Sequence, residues 1–222
     1  MVPAKEKITI IVATSNANKA REFAALLPGV DVLPMPAGIE LPEETGVTFE
    51  ENARLKAAAV RDQLLRIPGG PLSNADLYPS GPGNTPAGRS RVWVMADDSG
   101  LEVEALGGAP GIHSARYGGE GATDTGNVDR LLAELKGKGN RRARFVCVLV
   151  CVSATAGELV ARGDFEGTIA EAPRGRSGFG YDPVFIPEKK KLTVSEIPAE
   201  EKNRISHRAR AAHSLLAQLR GG

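Results

Sequence analysis

The sequence has no surplus of charge of either sign. Its 222 residues carry 28 Lys and Arg against 27 Asp and Glu, which gives a formal net charge of +1. A general nucleic-acid-binding protein usually shows a basic excess or a basic stripe. The charge balance therefore argues against a general nucleic-acid binder, although it leaves room for a local basic pocket.

Long apolar runs are also missing. The longest, Phe145–Val152, has eight residues, whereas a helix needs about 20 apolar residues to cross a bilayer. Near the N-terminus, Lys5 and Lys7 are followed only by the apolar stretch Ile8–Ala13, which is too short for a signal-peptide core. We therefore expect a cytoplasmic protein with no membrane partner.

Cysteine is scarce, with Cys147 and Cys151 as the two copies. Both lie in an apolar segment typical of a strand, where four residues cover roughly 13 Å. A disulfide needs Cα atoms within about 7 Å. With no third Cys and no His nearby, a thiolate metal site is disfavoured as well. We expect two reduced thiols in the core.

Hydrophobic patterning predicts a sheet flanked by helices. The clearest helix covers 48–66, because Thr48 and Glu51 form a T-x-x-E capping box before a broad apolar face. The order of elements predicts a mixed sheet of the α/β or α+β class, in a single domain over 1–222. The predicted strands are 7–13, 30–33, 92–96, 101–104, 144–152 and 158–165, the last two as an antiparallel hairpin; further helices end at Leu27 and cover 127–135 and 206–219.

Residues 68–88 interrupt this pattern. They hold five prolines and five glycines in 21 positions. Long loops without structure of their own are usually functional or mobile. We interpret this segment as a dispensable loop insertion.

The first chemically suggestive segment, Thr14–Lys19, follows a predicted buried strand and opens a helix. Free N–H groups and the helix dipole favour an anion there, and Lys19 adds a full charge. A simple N-cap by Ser15 or Asn16, with Lys19 in solvent, explains the segment equally well. It is not a P-loop, because G-x-x-x-x-G-K-[ST] occurs nowhere in the chain.

Two acidic segments come next. Asp97 and Asp98 end an apolar strand, and adjacent carboxylates are costly to place together unless a cation or solvent compensates. Mg²⁺ favours one or two carboxylates plus phosphate oxygens. The alternative is a D-x-S-G turn in which Asp caps backbone N–H groups. Glu43 and Glu44, just before the capped helix, either complete a metal site or face water.

Two further segments suggest contacts with a flat ligand. Ser177–Pro183 (SGFGYDP) places glycines around Phe179, so that the backbone can approach a base while an aromatic ring stacks on it. The alternative is a turn with Phe179 in the core. Near the C-terminus, Ser206 is a predicted N-cap, so His207 and Arg208 would project from the first turn, where positive charge opposes the helix dipole. They either meet a carbonyl or phosphate, or are solvated.

Together these segments resemble the inosine triphosphate pyrophosphatase family. Each stretch alone is a weak signal, but five in the family's order are specific. One departure is 68–88, which is longer than the family's usual link. The matching stretches are TSNANKAREF, LPEETGVTFEENARLKA, ADDSGLEVEALGGAPGIHSARYGG, GFGYDPVF and EKNRISHRARA, which reach from residue 14 to residue 211.

The resemblance implies an elongated mixed sheet in two lobes with a central nucleotide cleft, usually as a homodimer. It implies Mg²⁺-dependent hydrolysis of ITP, dITP and XTP to the monophosphate and pyrophosphate. Asp98 would be the general base and a Mg²⁺ ligand, with Glu43 as a second acidic position near the metal. The implied substrate contacts are Thr14, Ser15, Asn16, Ala17, Asn18, Lys19 and Lys56 for the triphosphate, Ser99, then Phe179, Gly180, Tyr181, Asp182 and Lys202 for base and sugar, and His207 and Arg208 for the purine 6-keto group.

The chemistry of Arg208 agrees with this assignment. Inosine and xanthine present an acceptor at position 6, where adenine presents an amine. A site that forms a particular set of hydrogen bonds with its substrate can discriminate by about 10⁴-fold against a ligand that cannot form them. Guanine also has a 6-keto group, so its exclusion must involve the 2-position.

Two alternatives stay open at this point. One is a related nucleotide pyrophosphatase for other modified bases, such as methylated pyrimidines. The other is a non-catalytic nucleotide- or nucleic-acid-binding module, suggested by the basic groups Arg141, Arg142 and Arg144 and by Lys189–Lys191.

Overall fold

A computed structural model describes residues 7–72, 90–154 and 157–221. Most of the 68–88 insertion therefore lies outside the described residues. The strands are β1 Lys7–Val12, β2 Asp31–Pro34, β3 Ser90–Val103, β4 Arg142–Ser153, β5 Glu158–Ile169 and β6 Phe185–Pro187; the helices are α1 Ala17–Leu26, α2 Phe49–Leu65, α3 Asp124–Glu134, α4 Ala199–Ile205 and α5 His207–Gly221, with 3₁₀ turns at Glu104–Leu106, Gly111–Arg116 and Val194–Glu196.

The strands form one mixed sheet in the order β2-β1-β3-β4-β5-β6. β1 runs parallel to both β2 and β3, while β5 and β6 are antiparallel. A parallel pair needs a crossover connection, and α1 supplies it between β1 and β2. The predicted α/β class with a mixed, helix-flanked sheet is confirmed.

The segment around the two aspartates differs from expectation. We predicted that a strand ends at Ala96 and that a second one begins at Leu101, with a turn between them as one alternative. That prediction is wrong, because β3 continues unbroken from Ser90 to Val103. Asp97 and Asp98 are 2% and 7% exposed, so the strand carries both carboxylates into the interior, where lysines lie against them.

The helix ends follow local chemistry. Thr48 caps α2 by accepting the N–H of Glu51, while Glu51 accepts the N–H of Val47 instead of closing the box on Thr48. Ser206 caps α5, as predicted, by accepting the N–H of Ala209 at 3.2 Å. The preceding short helix α4 was not predicted. It begins directly after Pro198 with acidic residues in its first turn, an arrangement that suits a helix start.

The residues group into two compact units, each described here by itself. The first comprises Met1–Asp98, Val148–Ala161 and Ala212–Gly222, and the second Ser99–Cys147 and Arg162–Ala211. Within the described residues no helix is long and apolar enough to span a bilayer. Cys147 and Cys151 are both buried and form no disulfide with each other, as predicted.

Each unit has its own buried apolar residues. In the first unit, β1, α2 and α5 supply many of them, including Ile10, Val60 and Leu215. The second has a continuous cluster around α3 and the Phe145, Phe165 and Phe185 rings. A close-packed cluster of this kind fixes the positions of its backbone segments.

Candidate active site

The first group of candidate residues opens α1 after β1. Asn16 is the N-cap, and its side-chain oxygen accepts the N–H groups of Asn18 and Lys19 at 2.9 and 3.3 Å. Thr14 accepts the N–H of Asn16 at 3.1 Å. The interpretation of this segment as an N-cap is therefore correct, with Asn16 as the capping residue. The residues from Ser15 to Asn18 are exposed at the helix N-terminus.

The Lys19 side chain is paired with a carboxylate of β3 and is not simply solvated. Its Nζ lies 2.8 Å from Oδ2 of Asp97. The Lys19 side chain is 22% exposed and that of Asp97 is 2% exposed. A charge pair with one buried member keeps the ammonium at one place, beside the part of β3 that follows its pairing with β1, where it can meet an anion as well.

Asp98 is the centre of a second buried polar group in the same unit. Asn52 donates through its amide to Asp98 Oδ2 at 3.1 Å and accepts the N–H of Gly46 through its own oxygen at 2.8 Å. The Nζ of Lys56 lies 3.8 Å from Asp98 Oδ1 and 2.6 Å from Glu44 Oε1. A lysine between two carboxylates compensates charge that burial would otherwise make costly.

The protonation equilibria of this group are shifted by its surroundings. Burial raises the pKa of Asp98 to about 6, against the lowering effect of the Lys56 ammonium and the Asn52 amide. Burial alone would lower the pKa of Lys56, but the charges of Asp97 and Asp98 outweigh it and raise the pKa. Lys56 is thus firmly cationic, and Asp98 takes up and releases a proton near neutral pH.

A divalent cation in the first unit would have carboxylate side chains as its only protein ligands among the candidate residues. Over residues 7–72, 90–154 and 157–221, no three His, Cys, Asp or Glu side chains are grouped to hold a metal ion. Mg²⁺ commonly takes one or two protein carboxylates and completes its shell with water and substrate phosphate. Asp98 is buried and its pKa is raised, and Lys56 lies between it and Glu44. These two carboxylates are compatible with that donor set. Glu43 is exposed, and its place near a metal stays a prediction.

The second unit holds the aromatic loop. Phe179 is 41% exposed, so the alternative that its ring belongs to the core is wrong. Its N–H donates to Oδ2 of Asp182 at 3.0 Å, and Lys202 donates to the same oxygen at 2.5 Å. Gly178 has φ +84°, and a Cβ there would lie 2.1 Å from that carboxylate oxygen. Glycine is therefore required for the turn to close on Asp182.

Two cations lie against the Phe179 ring. Lys202 Nζ is 4.7 Å from the ring centroid, and Arg208 Cζ is 5.2 Å from it. Arg208 Nη2 also lies 3.2 Å from the Ser99 hydroxyl. Cations over an aromatic face are attracted by its quadrupole, so both side chains and the ring form one group.

His207 and Arg208 are each 5% exposed. The His207 ring stacks on Phe145, with centroids 4.9 Å apart and planes 12° from parallel. A solvated basic first turn, which was the alternative, is therefore wrong for both residues. The hydroxyl of the buried Tyr181 donates to the carbonyl of Ser114 at 2.8 Å, which makes it a structural support of the loop.

Sequence reasoning missed two side chains that contact these residues, and one pairing between residues it did name. Asn52 lies one helical turn before Lys56 on the buried face of α2, and a polar pair at i, i+4 on an apolar face was the available signal. Glu44 and Lys56 were both candidates, but the contact between them was not predicted. Asp124, at the start of α3, accepts the N–H of Gly180 at 2.7 Å, and nothing local in the sequence indicated that contact.

These features define a class before any comparison is made. The first unit has buried aspartates just past the parallel pairing of β1 with β3, with two lysines beside them, and the second has a glycine-flanked aromatic ring with cations. Groups of these kinds are typical of an α/β protein that binds a phosphorylated, planar ligand.

Comparison with known proteins gives the family. The Ham1 family model matches residues 10–218. A dITP/XTP pyrophosphatase from Methylococcus capsulatus is 44% identical over 218 residues, which cover 95% of this chain and 96% of that one. One from Geobacillus kaustophilus is 46% identical over 216 residues, covering 94% and 93%. The chain belongs to the Ham1 family.

Solved structures agree with this fold. The Ham1 protein of Staphylococcus aureus superposes with a TM-score of 0.78 at 37% identity and covers 96% of this chain and 98% of its own. That of Coxiella burnetii gives 0.79 at 33% identity, covering 97% and 100%. The resemblance drawn from the five sequence stretches is thereby confirmed.

Proposed function

We propose that this protein hydrolyses deaminated purine nucleoside triphosphates (ITP, dITP and XTP) to the monophosphate and pyrophosphate. The observation that carries the proposal is the buried Asp98, which has a pKa near 6 and is held between the Asn52 amide and the Lys56 ammonium. The names of the relatives, dITP/XTP pyrophosphatase, support the same reaction.

The triphosphate is bound by the first unit in this proposal. Thr14–Lys19 offers the exposed N-terminus of α1, and Lys19 and Lys56 bring two ammonium groups. Positive charge at fixed positions neutralises phosphate oxygens and stabilises the charge of the leaving pyrophosphate. Lys19 and Lys56 are already fixed by carboxylates, so little side-chain ordering is needed when the anion arrives.

Asp98 takes the proton of the attacking water. A general base works best with a pKa near the working pH, and at neutral pH a carboxyl with a pKa of about 6 is mostly ionised and able to accept. The water oxygen bonds to the α-phosphorus while the bond from that phosphorus to the α–β bridging oxygen breaks, so that the monophosphate forms and pyrophosphate leaves. Asn52 keeps the Asp98 carboxylate in one orientation through the 3.1 Å hydrogen bond.

A Mg²⁺ ion would be held by Asp98 with Glu43 or Glu44, and would neutralise phosphate charge when bound. Glu44 supports this assignment through its link to Lys56, which also faces Asp98.

The base and sugar are bound by the second unit. Phe179 offers an exposed ring on which a base stacks, with Gly180, Asp182 and Lys202 forming the rest of the turn. Arg208, buried and fixed by Ser99, donates to the 6-keto oxygen, with His207 beside it. Adenine leaves this donor unpaired, and that difference favours deaminated purines.

We also propose a cytoplasmic homodimer that binds neither nucleic acid nor membrane. Some of the basic residues that suggested a nucleic-acid module have partners within the second unit. Arg141 donates to the carbonyls of Ile169 and Ala170, both at 2.7 Å, and Arg144 pairs with Glu102 at 2.6 Å. These contacts weigh against the module.

The test is pyrophosphate release from ITP, XTP, GTP, ATP and a methylated pyrimidine triphosphate, each with and without Mg²⁺. We expect Mg²⁺-dependent release from ITP and XTP with little from the others. Preference for the pyrimidine would reject the purine assignment, and equal activity on all purines would reject the role of Arg208. No release from any substrate, together with tight and salt-sensitive duplex DNA binding, would favour the binding module.

A further inference from the structure

The loop that carries Phe179 is connected to a helix far away in the sequence. The N–H of Gly180 donates to Oδ2 of Asp124 at 2.7 Å, across 56 residues of chain. The preceding N–H, that of Phe179, donates to Oδ2 of Asp182 at 3.0 Å. Two consecutive peptide groups of one turn therefore end on two carboxylates, one local and one from the first residue of α3.

These two hydrogen bonds determine where the ring points. Gly178 and Gly180 have φ values of +84° and +61°, and glycine on both sides leaves the backbone of Phe179 many alternative conformations. The ring itself is 41% exposed, so core packing does not fix it. Apart from the contacts of Lys202 and Arg208 with the ring, its orientation therefore depends on the hydrogen bonds of its own backbone.

The helix that carries Asp124 is anchored independently of the loop. Val128 and Leu131 of α3, and Leu135 directly after it, lie in the apolar cluster of the second unit. Asn127 accepts the N–H of Gly118 at 2.6 Å and donates to the carbonyl of Ala115 at 3.2 Å. The hydrogen bond from Gly180 to Asp124 therefore connects the loop to a helix whose position is fixed by the core.

A purely helix-stabilising role does not account for this contact. An acidic residue in a first turn favours the helix through the dipole without contacting another segment. Here a cavity of about 200 Å³ adjoins the loop, lined by Asp124, Val128, Phe179 and Gly180 among others. Open space lies beside the loop at this point, so the hydrogen bond from Gly180 to Asp124 is accompanied by little packing on this side.

We propose that Asp124 is a positioning residue for base recognition: it holds the Gly178–Gly180 turn so that the Phe179 ring is ready to stack on the substrate base. This inference rests on the proposed function. Asp124 contacts the turn of the unit proposed to bind the base, so its loss should change substrate binding and leave the chemical step unaltered.

The kinetic test compares Asp124→Ala with Asp124→Asn. We expect the alanine variant to raise KM for ITP about fivefold, as for the loss of one partly exposed hydrogen bond, with kcat changed less than twofold. The asparagine variant keeps an oxygen acceptor and restores most of the affinity. An unchanged KM in the alanine variant overturns the proposal, and so does a fall in kcat alone.

A matched control separates positioning from helix stability. Thr123→Ala removes the cap bond to the Gly126 N–H, seen at 3.2 Å, and weakens the same helix end without touching the loop. We expect it to keep the wild-type KM. If it reproduces the effect of Asp124→Ala, then Asp124 acts through the helix and the proposal fails.

Hydrogen exchange of the peptide covering 177–183, measured without nucleotide, tests the same tie without activity. We expect faster exchange in Asp124→Ala than in the wild type, Asp124→Asn or Thr123→Ala. Exchange at the wild-type rate overturns the positioning role. If the wild type fails to hydrolyse ITP, the proposed function is wrong. The hydrogen-exchange measurement does not depend on that activity, and it still supports or overturns the role of Asp124 in holding the turn.

Discussion

The two units build their candidate binding groups from opposite materials. The first buries charge: Asp97 and Asp98 are 2% and 7% exposed, and each lies against a lysine. The second presents a ring to solvent, since Phe179 is 41% exposed and rests on a glycine turn.

This difference predicts a division of labour. Buried ion pairs are rigid, and removing one partner leaves an uncompensated charge, which suits groups that must stay in place during a reaction. An exposed aromatic ring contributes affinity to any base, and neighbouring donors such as Arg208 select among bases. Changes in the first unit should therefore lower kcat, and changes in the second should alter KM and selectivity.

The largest effect is expected from Asp98→Asn. Loss of the base should lower kcat for ITP by about 10³-fold or more, with circular dichroism and the melting temperature close to wild type or higher, because a neutral amide is easier to bury. Asp129→Asn, the same change at an exposed site on α3, serves as control. Full turnover by Asp98→Asn would contradict the role given to this residue.

Arg208→Met should act on selectivity instead of rate. Loss of a hydrogen bond from a charged donor should lower kcat/KM for ITP about 100-fold, while the low activity on ATP changes little. The measured quantity is the ITP-to-ATP ratio, with Arg204→Met at an exposed position of α4 as the control. A parallel loss on both nucleotides would mean that Arg208 does not discriminate at position 6.

Stability should depend on pH through Asp98 when metal is chelated. Because burial raises the pKa of the folded state to about 6, the folded protein binds the proton more tightly than the unfolded chain does. The stabilisation is complete below pH 4 and is lost as pH rises from 4 through 6, by about 3 kcal/mol. The free energy of unfolding of the wild type and of Asp98→Asn, measured by urea unfolding across this pH range, tests this dependence. If both proteins showed the same dependence of that free energy on pH, the raised pKa of Asp98 would be ruled out.

The smallest effect is expected from Phe179→Leu. Removing a stacking surface should raise KM for ITP about tenfold with kcat nearly unchanged, and Phe179→Tyr should keep the wild-type KM. If leucine instead lowered kcat as strongly as Asp98→Asn, the division between the two units would not hold.

Much of the fold could be read from the sequence because its cues are local. The capped helix after Thr48 and the Ser206 cap depend on residues within four positions of each other. The unbroken β3 could not be read this way. An Asp-Asp-Ser-Gly segment is locally typical of a turn, and it stays extended because lysines of α1 and α2 compensate its carboxylates.

The candidate site divides in the same manner. The sequence by itself determined the identity and order of the motifs, and hence the family and the expected chemistry of Asp98, Phe179 and Arg208. Only the tertiary structure decided their partners: Asn52 and Lys56 for Asp98, and Asp124 for the Phe179 turn. The physical reason is that charge compensation and hydrogen bonding act through space, between residues whose separation along the chain carries no pattern.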